Sequence, residues 1–268
     1  MIDTKTTILH QEQIAPQIFR LRLLSPRIAR EARPGQFVHL RIREGTDPLL
    51  RRPFSIHRVN RERGEVQVLY QVVGQGTRLL SRKPVGERLD VLGPLGHRFE
   101  VSEEGGGVLL VAGGIGIAPL VFLCEDLLRG HAVTALIGAR SRDGILCHDS
   151  LRSGGVTVHI ATDDGSLGHR GLVTDLLNAQ LEAGREAVYA CGPVAMLRTV
   201  SALCRAHRIS CQISLESRMA CGLGACLGCA VKVRSSVPPG YEYKRVCKEG
   251  PVFDAEEVIF DENLLPGH

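Results

Sequence analysis

The chain contains no tryptophan, and aromatic residues make up 4% of its 268 positions. Binding of nucleic-acid bases by stacking needs aromatic faces, so that role is disfavoured. An excess of one charge is missing too. The net charge is +4 with no run of Lys or Arg, too mild a balance to grip a phosphate backbone. No apolar run reaches the roughly 18 residues of a membrane-spanning helix. The opening MIDTKTTILHQEQ is polar and lacks the hydrophobic region of a signal peptide. These absences point to the reducing cytoplasm, where nine cysteines serve metal or redox chemistry in place of cross-links. An odd number of thiols also cannot pair completely within one chain.

The sequence does have length and apolar mass. Its 268 residues suggest about two domains, and 44% hydrophobic content is enough to bury a core. Residues 1–102 hold short β-rich stretches, IFRLRLLS, QFVHLRI and EVQVLYQVV, broken by turns at Arg33-Pro34-Gly35 and Arg63-Gly64. That spacing predicts a small all-β barrel or sandwich. Glu103-Glu104-Gly105-Gly106-Gly107 reads as a hinge. Over 103–210, strand-like VLLVAGG, AVTALIGAR, VTVHIAT and EAVYACGP alternate with helix-like LVFLCEDLLRG, GLVTDLLNAQLEA and AMLRTVSALCRAHR. Such alternation predicts a parallel α/β sheet with right-handed crossovers. From about Ile209 the alternation is expected to stop, leaving residues 211–268 as a cysteine-bearing segment.

VLLVAGGIGIAPL joins strand to helix through Gly113, Gly114 and Gly116, with Pro119 in the first helical turn. Glycine lets backbone N–H groups approach a ligand, and the helix aims its positive end at a pyrophosphate. No acidic residue ends the next strand to hold a ribose hydroxyl. Arg140 and Arg142 stand there, so NAD and NADP both remain open. Asp163, within Thr162-Asp163-Asp164-Gly165-Ser166, and Cys191-Gly192-Pro193 fall at strand ends of the same sheet, where open α/β folds bind ligands. In RRPFSIH, Arg52 can meet a phosphate while Ser55, on the other face of the strand, meets a polar ring edge. Gly74-Gln75-Gly76-Thr77 offers a second turn suited to phosphate. Taken singly, each of these stretches also reads as an ordinary turn or surface strand.

Cys221, Cys226, Cys229 and Cys247 follow the spacing C-x4-C-x2-C, then seventeen residues, then C. This is close to the plant-type ferredoxin arrangement for a [2Fe–2S] cluster. Gly222, Gly224 and Gly228 let the loop wrap with its N–H groups inward. Structural zinc is the alternative, but zinc sites usually supply a second close pair of ligands, and Cys247 has no such neighbour. No carboxylate pair, catalytic lysine or nucleophile–base arrangement suggests a site for an organic substrate.

The order RRPFS, LYQ, GQGT, GGIGIAP, CGP resembles the ferredoxin–NADP reductase superfamily, in which a β-barrel holds FAD and an α/β domain holds the nicotinamide. The resemblance implies that Arg52, Pro53, Phe54 and Ser55 contact FAD, and that Leu69, Tyr70 and Gln71 flank it. It also implies that Gly76 and Thr77 take the pyrophosphate, and that Cys191 approaches the nicotinamide. Phe54 stands where the family carries tyrosine, one hydroxyl fewer. With SLESRMACGLGACLGCAVKV and YKRVCKEGPVF included, the chain is similar over nearly its whole length to the electron-transfer subunits of dihydroorotate dehydrogenase B. That implies FAD and one [2Fe–2S] cluster passing electrons to NAD in pyrimidine biosynthesis. It also implies an FMN-containing catalytic subunit as partner, in a heterotetramer. The short glycine-rich tail lacks the apolar mass to cover itself, which makes Gly222, Leu223, Leu227 and Gly228 the expected contacts with that partner.

Overall fold

The computed structural model describes residues 2–102, 105–182, 184 and 187–261, with side chains from residue 6 onward. Glu103 and Glu104 of the expected hinge lie outside the described residues.

The first part comprises β1 (Ile2–Ala15), β2 (Ile18–Leu24), α1 (Pro26–Glu31), β3 (Phe37–Arg41), β4 (Arg52–Asn60), β5 (Glu65–Gln71), α2 (Gln75–Leu80) and β6 (Arg88–Leu95). Its strands close into a barrel in the order β1-β2-β5-β4-β3-β6. Closure removes the unpaired edges that an open sheet of this size would expose. The period-2 alternation points Leu21, Leu23, Val38, Leu40, Ile56, Val66, Val68 and Tyr70 into one core. The polar opening of the sequence forms the long β1, which pairs with both β2 and β6 and completes the closure.

The second part runs β7 (Gly107–Gly113), α3 (Ile117–Leu127), β8 (Ala132–Ala139), α4 (His148–Ser153), β9 (Thr157–Thr162), β10 (His169–Arg170), α5 (Val173–Leu181), β11 (Ala187–Cys191), α6 (Val194–His207) and β12 (Ser210–Ser214). The alternation therefore continues one strand past Ile209, because β12 pairs parallel with β11. After β13 (Ala230–Arg234) and β14 (Tyr241–Arg245), β15 (Val252–Asp254) returns to β12 and adds an antiparallel edge. The sheet order is β10-β9-β8-β7-β11-β12-β15. The chain fills one side of β7 before crossing to the other, so the topological switch point lies between β7 and β11.

A segment of fewer than sixty residues cannot bury a secure core alone. This one shares a core. Val231, Val233, Val246, Val258 and Phe253 join the cluster formed by Leu109, Val111 and Leu136 of the sheet, Leu177 of α5 and Leu197 of α6. Phe37 of the barrel packs into the same cluster, so the cysteine segment is seated on both other parts. Each buried side chain of this kind is worth about 1.5–3 kcal/mol, and several together are enough to hold a short segment in place.

Candidate functional site

The four cysteines arrive in two pairs. The Cys221 and Cys226 sulfurs lie 3.3 Å apart. Cys229, at the entry to β13, faces Cys247, just after β14, and the two thiols interact directly. Among the described residues no three His, Cys, Asp or Glu groups are set to hold a single metal ion. Two thiol pairs match the demand of a two-iron cluster, two ligands to each iron, better than one tetrahedral ion. The loop supplies N–H groups to the sulfurs: Leu223 and Cys226 donate to Cys221 Sγ at 3.4 Å each, and Gly224 donates to Cys247 Sγ at 3.2 Å. The N–H of Cys226, then that of Leu223, favours thiolate and brings the Cys221 thiol down to about 6. Burial does the reverse at Cys247, raising it to about 12.

Two side chains not foreseen from the sequence brace this loop. Arg245 Nη1 donates to the Gly224 carbonyl at 2.5 Å, and its Nε donates to Glu249 Oε2 at 3.0 Å. Its Nη2 completes the fork on Glu249 Oε1. The Arg245 guanidinium in turn holds the Glu249 carboxyl down to about 2. The signal was present as an i,i+4 pair around Cys247. Gly222 and Gly224 both have positive φ, at +69° and +77°. The exposed side chains at the tip are Leu223 and Leu227, 52% and 74% exposed.

On the barrel, Arg52 and Gly76 come together. A side-chain carbon at Gly76 would lie 2.7 Å from Arg52 Nε, so the guanidinium lies against that glycine's backbone. Gly74–Thr77 opens α2, and the Thr77 hydroxyl closes the turn: it accepts from the N–H groups of Val73 and Gly74 and donates to the Gly74 carbonyl. Phe54 packs on Tyr70, ring centroids 5.4 Å apart. Tyr70 points into the barrel, stacks on Phe19 and donates its hydroxyl to Gln11 Oε1 at 3.0 Å. Leu69 and Gln71 face the other way, Leu69 buried and Gln71 exposed. Pro53 and Ser55 are partly buried on the outer face of β4. His57 on that strand donates Nδ1–H to the Ala118 carbonyl at 2.9 Å, joining β4 to the start of α3. Burial keeps it neutral, with its pKa lowered to about 4.

At the switch point, the glycine turn and the CGP stretch meet. A carbon at Gly116 would lie 2.3 Å from the Cys191 carbonyl oxygen, and one at Gly113 would lie 2.6 Å from Pro193 Cδ. Gly192, at φ +157°, packs against the Gly113 backbone. Gly114 has φ +55° and open space where a side chain would go. Pro119 is buried in the first turn of α3. The Cys191 side chain is 1% exposed and joins the core under α3, so its backbone lines the crevice. Burial, chiefly, raises that thiol's pKa well above its ordinary value. Asp163 sits after β9, two strands from β7, its N–H bonded to the Ala139 carbonyl. Glu216, which the sequence did not single out, lies beside Cys191. It stays solvent-accessible, yet protein crowding around its carboxyl raises its pKa.

Comparison with known proteins bears on this arrangement. Residues 4–99 match the oxidoreductase FAD-binding domain, 110–202 the oxidoreductase NAD-binding domain, and 216–259 the iron–sulfur cluster binding domain of dihydroorotate dehydrogenase B. The dihydroorotate dehydrogenase B (NAD(+)) electron transfer subunit of Desulforamulus reducens is 43% identical over 97% of this chain and 99% of its own. That of Bacillus cereus is 41% identical over 94% of this chain and 96% of its own. The chain belongs to this family of electron-transfer subunits.

This family member is an oxidoreductase subunit built to work with FAD, a [2Fe–2S] cluster and NAD. Its fold is shared with a solved chain of an NADH-dependent reduced ferredoxin–NADP oxidoreductase, 33% identical, TM-score 0.86, covering 98% of this chain and 92% of that one. A cytochrome P450 reductase from Amycolatopsis, 23% identical with TM-score 0.65 over 77% of this chain and 66% of its own, shares the fold alone. The barrel, the parallel sheet and the carboxy-terminal cluster segment expected from the sequence are all present. No helix among the described residues is long and apolar enough to cross a membrane.

Proposed function

We propose that this chain carries electrons from an FMN-containing, dihydroorotate-oxidising catalytic subunit to NAD, within a cytoplasmic heterotetramer that serves pyrimidine biosynthesis. The observation that carries the reading is the placement of the cysteine loop. The Cys221–Cys226 pair lies beside exposed Leu223 and Leu227, and the Cys229–Cys247 pair is buried behind it in a core that includes Phe37 of the barrel. Cys221, Cys226, Cys229 and Cys247 would hold the cluster. Arg52, Gly76 and Thr77 would seat the FAD phosphates, and Pro53, Phe54 and Ser55 its ring system, with Leu69, Tyr70 and Gln71 flanking the cofactor. Gly113, Gly114, Gly116, Pro119, Asp163, Cys191, Gly192 and Pro193 would form the NAD crevice.

When bound, these groups supply one-electron transfer at the cluster, hydride transfer at the nicotinamide, and exchange between the two at the flavin. The chain's own residues do the rest. Gly116 and Gly192 bring the crevice backbone close enough for N–H groups to face a pyrophosphate. His57 holds the flavin strand to the helix that follows that turn. Arg245 fixes the cluster loop through the Gly224 carbonyl, and the loop N–H groups on Cys221 and Cys247 stabilise negative charge on sulfur. Exposed Leu223, Leu227 and Gly228 would meet the partner, where an apolar contact excludes water from the transfer path, while Gly222, expected beside them, is buried against His39 and braces the loop from behind.

A second reading has its own support. The likeness to the reduced ferredoxin–NADP oxidoreductase chain extends over 98% of this chain. Co-expression with an FMN-bearing dihydroorotate dehydrogenase subunit separates the two. The expected result is co-purification and NADH formation from dihydroorotate, with no such turnover by this chain alone. A chain that stays monomeric beside that subunit at micromolar concentration, yet takes electrons from reduced ferredoxin, would favour the second reading.

A further inference from the structure

Among the described residues, His39 is the one side chain with two buried polar atoms and no well-formed hydrogen bond to either. It lies on β3, fully buried at 0% exposure, and neither ring nitrogen has a hydrogen-bond partner. Buried polar groups are nearly always paired, so an imidazole with no well-formed hydrogen bond at either nitrogen calls for a reason. Its surroundings supply one. In the β3–β4 register His39 stands opposite Pro53, and Val38 stands opposite Phe54. Opposed residues of an antiparallel pair share a face. Val38 and Phe54 therefore share the barrel side, while His39 and Pro53 share the outer side. Phe37, two residues before His39 and on the same outer face, joins the core cluster that also takes in Cys229 and Cys247. His39 thus sits on the seam between the proposed flavin strand and the cluster segment.

The contact across that seam is close. A side-chain carbon at Gly222 would lie 2.3 Å from His39 Nδ1. Gly222 follows Cys221 directly, and the Cys221 carbonyl is among the groups that bear on the ring. On the other side, Arg51, the residue before β4, has Nη1 3.5 Å from the His39 carbonyl and Nη2 2.7 Å from Asp90 Oδ2. The ring itself lies near the backbone carbonyls of Arg51 and Cys221, and its Nδ1 lies next to Gly222 of the cysteine loop.

We propose that His39 is a positioning residue for electron transfer: it donates its Nδ1–H into the cluster loop at the Cys221 end once the cluster is in place. A neutral imidazole carries one N–H, and that proton belongs on the nitrogen facing the loop. An N–H dipole aimed there stabilises the reduced, more negative cluster, and hydrogen bonds around cluster sulfurs are a recognised control on its potential. The same contact ties the cluster to the strand next to the flavin. The inference rests on the ligation proposed above for Cys221.

The test uses the full chain with its cofactors, comparing native protein, His39→Leu and His39→Asn. Leucine fills the space and removes the donor, whereas the asparagine amide places an N–H near the Nδ1 position. The readouts are the EPR spectrum of the reduced cluster and its reduced-to-oxidised ratio at the native midpoint potential. His39→Leu should alter the spectrum and lower the ratio at least about threefold, against a tenfold change per 59 mV for one electron. His39→Asn should recover most of the native value. Loss of the cluster from the leucine variant alone supports the donor role. Equal behaviour of the two variants, whether both match native, both shift alike or both lose the cluster, overturns it. Cys221→Ser keeps the two readings apart. If that variant retains a native cluster, the ligation is wrong; if it loses the cluster while His39→Leu is silent, only the histidine inference fails.

Discussion

A side-chain carbon at Gly116 would lie 2.3 Å from the carbonyl oxygen of Cys191, and one at Gly222 would lie 2.3 Å from Nδ1 of His39. The distances are equal, but the obstacles differ. At Gly116 the obstacle is backbone in a parallel sheet, which cannot move without breaking the β7–β11 pairing. At Gly222 it is one side chain on another part of the fold, joined to a positive φ of +69°. The nucleotide turn is thus shaped by the sheet it belongs to. The cluster loop is shaped by parts distant in sequence: His39 from the barrel, Arg245 and Lys248 from beyond β14 or its end, and a core lent by the nucleotide domain.

That contrast can be broken by substitution. The largest effect should come from Gly116→Ala. Its added carbon meets fixed backbone, and overpacking of this kind costs about 1–3 kcal/mol or more. Thermal unfolding should show a loss near the top of that range, while Gly114→Ala, facing open space at φ +55°, should cost only about 1 kcal/mol. Equal losses would mean the sheet does not impose the turn. Next comes Arg52→Ala, which removes a charge-assisted contact worth about 1.5–3 kcal/mol. FAD affinity, measured by flavin release, should then fall roughly tenfold to a hundredfold. Normal flavin content would detach Arg52 from the phosphate site.

Gly222→Ala should cost about 1–2 kcal/mol for its backbone conformation, plus the clash with His39. Pairing it with His39→Ala removes the clash but not the conformational cost, so cluster content should recover partly. Full recovery or none would contradict the two-part account. The smallest effect should come from Glu249→Gln. The folded carboxyl titrates near 2 against an ordinary 4.5, so its contribution is present above about 4.5 and is lost as pH falls toward 2. The pair is partly exposed and screened, so the variant should melt only slightly below native at neutral pH. That gap should close as the pH is lowered through this window. A gap that persists at pH 2 would assign the loss to packing and not to charge.

Much of the site was legible because its signals are local. The cysteine spacing needs only a loop that wraps on itself, and both the glycine turn and CGP mark strand ends whose neighbours follow from the alternation. What the sequence hid depends on distance. His39 looked like one alternating residue of QFVHLRI, since its neighbour Gly222 is remote in the chain. The strand β12 was missed because SCQIS runs into the cysteine segment without a glycine or proline to mark a separate element. The polar β1 has little apolar alternation to reveal it. The CGP motif puts Cys191 at a strand end, but only the packing under α3 shows that its side chain turns inward.

The most direct test is a visible and EPR spectrum of the purified chain, before and after dithionite, beside Cys247→Ser. Cys247 is the proposed ligand most distant in sequence, brought to Cys229 by the β13–β14 pairing and buried with it. The native protein should show flavin and cluster together, with the cluster signal appearing on reduction. The Cys247→Ser protein should keep its flavin and lose or badly destabilise the cluster. A native chain with no cluster signal, or a Cys247→Ser protein with a full-strength native one, would contradict the account.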